Sequence, residues 1–592
     1  MSEEKPSKYH VLSFLKPYRG PAIAASLLIV LECALEITVP FLSNLVFKNG
    51  LKAVPGNGTI TYDMDKDYVL LVALLMLAFA GLAMLIGVFT AKFTAKAGRG
   101  LGYELRRKEY EKILDFSFAN LDEFRINSLV TRMTNDVQII SDTFCQALRP
   151  LLRAPIQLLL SLGFAIYMSR QLSLVFAVVL PLLAALLVFL ILLTRPLFVK
   201  LQDALDKINR TTEESLIAMK LVRANAKKDY EIEKFQAVNA ETKHIGDKAL
   251  GINALNMAVI QSMTYLCILG ILFFGGRLGL KRSDAVMTAN MATYLDYVQQ
   301  MLNSLVMLSN VFMMFTRASA SNERLKEVFE AKSEIVDPKE SPLTVSDGRI
   351  LFDHVSFRYA KTAQEATLSD LSFEISSGSF VGILGETGSG KSTLVSLIDR
   401  FYDASEGKIL IAGKPIQDYS LHNLREGISI AFQSPRLFTG TVRDNLRWGN
   451  PDATEAEMDE ALKIAGCYDV VMKQLPQGYE TPMGQTGSNV SGGQRQRLCI
   501  ARALLKKPKI LILDDSFSAL DRITEGEVKK NLRTKLPGMT VLVISQKIST
   551  INDADLVLVL KDGKMEGKGT PAELLAHDPI YQHIASIQKE GR

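Results

Sequence analysis

The sequence predicts an α-helical membrane domain of six spans followed by an α/β domain, and three observations carry that prediction. The long uninterrupted apolar runs of this 592-residue chain all lie before residue 330. From Arg349 onward, short β-rich runs alternate with helices and glycine turns. One of those runs, Val381-Gly382-Ile383-Leu384, stops in a glycine-rich loop that leads into Lys391, Ser392 and a breaker-free helix.

Taken in order, residues 1–21 are charged and lack an apolar core followed by a small-residue cleavage site, so they do not read as a secretory signal. Tyr9, Leu12, Phe14 and Leu15 mixed with Lys16 and Arg19 predict a short helix lying in the membrane interface. The membrane domain is expected over 22–330, with spans at about 22–46, 68–92, 147–168, 172–195, 253–276 and 288–315, each near the ~20 residues that cross a bilayer. Only Ser169, Arg170 and Gln171 separate the third from the fourth, which predicts a tight outer hairpin. Two long loops, between spans two and three and between four and five, are full of Lys, Arg, Glu and Asp and are expected on the cytoplasmic side. Arg277, Lys281 and Arg282 in the last outer loop run against that tendency but are outweighed. Asn57-Gly58-Thr59 matches a glycosylation acceptor and is read as a turn.

A net charge of +5, with basic residues in loops and near helix ends, fits membrane-flanking charge and argues against a nucleic-acid surface. Five widely spaced cysteines without a CxxC give no disulfide framework and no metal cluster. Residues 331–348 hold two prolines and little apolar content and read as a linker; 349–592 form the α/β domain, with a largely parallel central sheet.

The chemistry starts at Gly385-Glu386-Thr387-Gly388-Ser389-Gly390-Lys391-Ser392-Thr393. Only glycine tolerates the dihedrals and the close approach that let backbone amides turn inward around a triphosphate. Lys391 is then set against the β and γ phosphates and Ser392 offers its hydroxyl to Mg²⁺, while the helix that follows points its positive end at the anion. Ile510 to Leu513 read as a fully buried strand ending in Asp514 and Asp515, and the carboxyl ends of parallel strands are where such sheets bind ligands. Asp514 is therefore expected to hold Mg²⁺ through water. Ser491, Gly492, Gly493 and Gln494 open a further helix, a second anion-binding terminus that suggests two chains meeting head to tail.

With these motifs in this order the chain resembles a half-transporter of the ATP-binding cassette superfamily, of the exporter type (type IV), in which six spans precede the nucleotide-binding domain. The resemblance implies that residues 385–393 are the Walker A loop, Asp514 ends Walker B, and Ser491–Gln494 are a signature motif acting in trans. It implies that Tyr359 stacks on adenine, that Gln433 links Mg²⁺ to the membrane domain, and that Asp521 belongs to the D-loop. It also implies that 121–136 and 219–225 lie in loops whose short coupling helices touch the cassettes. Two departures stand out: Asp515 takes the place of a catalytic glutamate, and Gln546 that of the switch histidine. Asp515 withdraws the carboxylate by about one methylene, and displacement on the order of 1 Å can cost ~100-fold in rate. Gln546 keeps a hydrogen-bond donor but carries no proton or charge. The chain thus resembles the degenerate-site subunit of heterodimeric bacterial multidrug exporters. Its expected partners are a second half-transporter with an intact Walker B glutamate, the lipid bilayer of the cell membrane, and hydrophobic small molecules. Peptide or lipid export and a nucleotide-gated regulatory subunit remain alternatives.

Inside the first span Glu32 and Glu36 stand one helical turn apart. Intramembrane carboxylates are functional by default. These two are candidates to attract cationic amphiphiles or bind a proton, or Glu36 neutralises Arg153 of the third span. Asn303 and Asn310 with Met307 and Met314 form a stripe on the sixth span, which is read as helix packing or as a wall of the substrate cavity.

Overall fold

The computed structural model describes residues 9–55, 60–168, 170–282, 285–338, 341–359, 365–484 and 487–590. Two units emerge: Met1–Leu114 with Asn127–Ala331, and Asp115–Ile126 with Lys332–Arg592. The Asn57-Gly58-Thr59 turn and Ser169 of the expected hairpin lie outside the described residues.

Helices α1 (Arg19–Leu45), α2 (Lys66–Leu114), α3 (Phe118–Phe124), α4 (Ile126–Thr131), α5 (Val137–Met168), α6 (Arg170–Ile217), α7 (Met219–Ala224), α8 (Lys228–Arg282) and α9 (Ala285–Glu330) follow one another along the first half. The six spans expected from hydropathy fall on α1, α2, α5, α6, α8 and α9. Among the described residues, Val11–Gly50, Lys66–Leu114, Ile126–Met168 and Thr293–Glu330 are long and apolar enough to cross a membrane. At 49 residues α2 is roughly 70 Å long, more than twice the ~30 Å hydrocarbon core, so its charged second half continues beyond the lipid. A hairpin of β1 (Leu51–Pro55) and β2 (Ile60–Met64) joins α1 to α2.

Packing in this unit pairs α1 with α2, α5 with α9 and α6 with α8. Small residues permit the closest approach. A Cβ at Gly98 of α2 would strike Cys145 of α5, and one at Gly102 would come within 3.0 Å of Ser141. Ser141 uses that proximity to donate to the Gly98 carbonyl at 2.9 Å. The amino-terminal helix is a 3-10 turn over Val11–Tyr18 that runs into α1. Phe14 and Leu15 of this helix, with Tyr9 just before it, pack with Leu101, Leu105, Leu325 and Phe329, so the apolar face expected to lie in the membrane interface meets protein.

The second unit contains strands β3 (Ile350–Phe357), β4 (Leu368–Ile375), β5 (Phe380–Gly385), β6 (Glu406–Ile411), β7 (Lys414–Pro415), β8 (Ile428–Ala431), β9 (Gly440–Thr441), β10 (Pro482–Met483), β11 (Ile510–Asp514), β12 (Thr540–Ser545), β13 (Leu556–Lys561) and β14 (Lys564–Gly569). Helices α10 (Lys391–Ile398), α11 (Leu421–Gly427), α12 (Val442–Arg447), α13 (Glu455–Ile464), α14 (Gly492–Leu505) and α15 (Arg522–Lys535) are interleaved with them. The central sheet has the order β14-β13-β5-β12-β11-β8, parallel except for β14. Its strands β5, β11 and β12 are buried at every position, as continuous apolar runs covered on both faces must be.

Strands β3, β4 and β6 do not belong to that sheet. With β7 they form a separate antiparallel sheet, β4-β3-β6-β7. Alternation explains the difference: β4 is buried at Leu368, Leu371, Phe373 and Ile375 and exposed or half-exposed between them, the pattern of a sheet with one wet face. The expected linker has no helix or strand among its described residues, yet it is tied to its own unit. Arg400 donates to the Val336 carbonyl at 3.0 Å, and Asn423 donates to the carbonyls of Ser341 and Leu343.

Candidate functional site

At the carboxyl ends of β5, β11 and β12 lies a cavity of about 280 Å³ lined by Thr367, Thr387, Gly388, Gly390, Lys391, Ser392, Thr393, Gln433, Asp514, Asp515, Ser545 and Gln546. The loop after β5 takes its shape from glycine. Gly388 and Gly390 have φ of +88° and +95°, and at Gly388 a Cβ would meet nothing within 4 Å, so the loop turns its backbone toward open space. Gly390 caps α10, whose first residue is Lys391. The buried Lys391 ammonium donates to the carbonyls of Gly385 (2.7 Å) and Glu386 (2.5 Å) and to Ser389 Oγ (3.3 Å), which curls the loop around the lysine.

Burial pulls the Lys391 ammonium below its ordinary range against the opposing charges of Asp514 and Asp515. Burial likewise pushes both carboxyls up; Asp515 adds to the rise at Asp514, whereas hydrogen bonds from Gln433 and Ser518 hold Asp515 back. Asp515 sits just past the end of β11 at φ +45°, a turn that brings its carboxyl beside Gln433. Gln546, just past β12, aims its amide nitrogen at Thr387 Oγ1, 3.5 Å away. The predicted loop, both strand-end carboxylates, Gln433 and Gln546 thus surround one cavity. Ser392, Asp514 and Gln433 present oxygens there, a hard donor set suited to Mg²⁺.

Tyr359 is half exposed, with its hydroxyl 3.1 Å from Thr393 Oγ1 and its ring edge-on to Tyr402 at 5.2 Å. Tyr402 donates to Asp122 of α3 at 2.7 Å, and Phe118 of α3 stacks on Phe401 at 4.3 Å. This places α3, one of the helices of the expected loop over 121–136, against the second unit's own core. The short helix of the 219–225 loop, α7, has no buried residue.

Ser491 is the N-cap of α14: its hydroxyl accepts from Gln494 N, and Gln494 Oε1 accepts from Ser491 N at 2.9 Å. The first amides of α14, at Gly492 and Gly493, have no partner within the helix. A Cβ at Gly493 would lie 2.8 Å from the Ala519 carbonyl, so glycine is needed for that segment to pass. Gln496 ties the helix to the same segment through Ser518 (3.1 Å) and Ala519 N (3.1 Å). Asp521 accepts from the amides of Ile523 and Thr524 as the N-cap of α15.

In the membrane unit Glu32 is 3% exposed and ion-paired to Arg149, with Arg153 3.7 Å from the same oxygen; Arg153 is also paired with Glu36. Glu32 and Glu36 line one cavity, whereas Asn303 and Asn310 lie exposed on α9 and take no part in its lining. Sequence reasoning named Arg153 and missed Arg149, although the two stand one turn apart as Glu32 and Glu36 do. It also missed Thr367 and Ser545. Ser545 ends a buried parallel strand and was open to the same argument as Asp514; Thr367, in the approach to β4, carries no such signal.

The family profile for the ABC transporter transmembrane region matches residues 23–315, and a second one, described as ABC transporter, matches 368–518. The "Uncharacterized ABC transporter ATP-binding protein YfiB" of Bacillus subtilis is 35% identical over 98% of this chain and 99% of its own. The "Putative multidrug export ATP-binding/permease protein YgaD" of the same organism is 30% identical over 98% of each. A solved bacterial Atm1-family ABC exporter with ATP bound superposes with a TM-score of 0.80 and 26% identity, covering 96% of this chain and 99% of that one. The chain belongs to the ATP-binding cassette exporters, ATPases coupled to transport in which a helical membrane domain and an ATP-binding domain share one polypeptide.

Proposed function

We propose that the chain is one half of a heterodimeric exporter that moves hydrophobic and amphiphilic compounds out across the cell membrane, and that ATP on its own phosphate loop is turned over slowly. The observation that carries this is the pairing of Asp515 and Gln546 at one cavity whose binding elements are otherwise complete. A carboxylate shortened by a methylene and an amide in place of an imidazole both weaken the same step, activation of water at the γ-phosphate. Lys391 and the loop amides would hold the β and γ phosphates, with Thr387, Ser389 and Thr393 shaping the cradle and Tyr359 against the base. Ser392, Gln433 and Asp514 would hold Mg²⁺, which when bound neutralises phosphate charge.

Ser491, Gly492, Gly493 and Gln494 would complete a competent site on a partner that keeps its glutamate, with Asp521 at the junction. The basic loops support placing the cassette, the amino terminus and both long helical extensions in the cytoplasm. The name borne by YgaD supports a multidrug range. The test is turnover of the complex with its partner. Ser491→Ala should abolish most of it because it strikes the competent site, whereas Lys391→Ala should weaken ATP binding here and leave part of it. Equal losses from the two changes would overturn the assignment of unequal sites.

A further inference from the structure

The cavity beside Glu32 lies between α1, α2 and α5 and measures about 670 Å³, within the ~300–1,000 Å³ of small-molecule sites. Val39, Ala83, Met84 and Val88 supply apolar walls, and Glu32, Glu36 and Arg149 gather its charge. With Arg153 the cluster holds two carboxylates and two guanidiniums. It is nevertheless incompletely bonded. Glu32 Oε1 takes both arginines while Oε2, buried, has no hydrogen-bond partner among the described residues, and Arg149 Nε is buried in the same condition. The Arg149 side chain as a whole is 41% exposed. One acceptor and one donor are therefore left over, on two residues that border the same space.

A closed structural staple would leave neither. A lone cation drawn to Glu32 Oε2 meets two guanidiniums within a few ångströms that cancel most of the attraction, and a lone anion at Arg149 meets two carboxylates. A ligand that carries both signs on one headgroup gains at each end and leaves the cluster neutral. We infer that this cavity binds zwitterionic amphiphiles, with the anionic group on Arg149, the ammonium on Glu32 and the tail along the α2 wall. This rests on the reading of the chain as an amphiphile exporter and narrows its substrate class.

The experiment titrates the full-length chain in nanodiscs with fluorescent single-chain amphiphiles that share one acyl tail and differ in headgroup: phosphoethanolamine, alkylammonium or phosphoglycerol. The zwitterion should bind about tenfold tighter than either singly charged probe. Arg149→Gln, at the exposed member of the pair, should shift the preference to the cation, and Ala91→Leu, which fills the cavity wall without touching a charge, should weaken all three. Equal binding of the three probes, or an unchanged ranking in normally assembled Arg149→Gln protein, would overturn the inference. ATP-driven removal of a neutral dye from vesicles, measured on the complex with its partner, separates the two levels. If it persists while the probes bind equally, only the headgroup assignment falls; if it is absent as well, the export reading falls too.

Discussion

The nucleotide cavity and the helical extensions beyond the membrane both bury charge, but they resolve it in opposite ways. In the cavity Lys391 is satisfied by its own loop, and burial pushes the two carboxyls beside it, Asp514 and Asp515, toward protonation, with the charge of Asp515 adding to the rise at Asp514. In the extensions Asp136, 0% exposed in a π-turn before α5, is held by Arg324 Nε at 2.7 Å and by Ser321 at 2.9 Å. A structural carboxylate is closed off by partners that come with it, whereas Asp514 and Asp515 border an open cavity. Glu109 of α2 falls between these cases. It is fully buried near Asp136, neither of its oxygens has a hydrogen-bond partner among the described residues, and burial pushes its carboxyl up to about 8.

The largest effect expected from this contrast is on stability. Arg324→Ala leaves Asp136 buried with only Ser321, and the loss should be about 3 kcal/mol, the low end for a broken buried pair because Arg324 is itself half exposed. Thermal unfolding of the detergent-solubilised chain checks it, and a change no larger than that of a surface arginine would remove the Asp136 pair from the structural class.

Next comes the catalytic step. Asp515→Glu together with Gln546→His should raise single-turnover hydrolysis on this chain's loop by roughly 10- to 100-fold if reach and protonation are all that is missing. No increase would move the defect to the signature helix that the proposed partner would contribute.

The smallest effect belongs to Glu109. Its folded-state pKa of about 8 stands above the ordinary 4.5, so the folded protein holds a proton that the unfolded chain releases. Stability from this group is full below about 4.5 and falls as pH rises toward 8. Glu109→Gln should flatten that fall, so the variant gains on the parent as pH is raised through this window. Parallel stability profiles for the two proteins would contradict the shift.

The two units were unequally legible in the sequence. Glycine spacing and strand-end aspartates each carry local geometry, so the cavity after β5 could be assembled on paper from residues more than a hundred apart. The largely parallel central sheet was legible from its buried apolar runs, whereas nothing read from the β-rich runs separated β3, β4 and β6 into an antiparallel sheet of their own, although β4 alternates visibly. In the membrane helices hydropathy gives length and little else. Rotation about each helix axis, which brings Arg149 to Glu32 and leaves Asn303 and Asn310 away from that cavity, depends on contacts between helices far apart in sequence. The link from Tyr359 through Tyr402 to Asp122 was illegible for the same reason.

The central claim, that one ATP site of the complex is slow and lies on this chain, is tested most directly by the fate of bound nucleotide. The complex with its partner is loaded with labelled ATP and Mg²⁺, allowed many turnovers, freed of unbound nucleotide and analysed for ATP and ADP. One unhydrolysed ATP should remain per complex, and Lys391→Ala in this chain should abolish it. Complete conversion to ADP in the unmodified complex, or retention of ATP in spite of Lys391→Ala, would contradict the account.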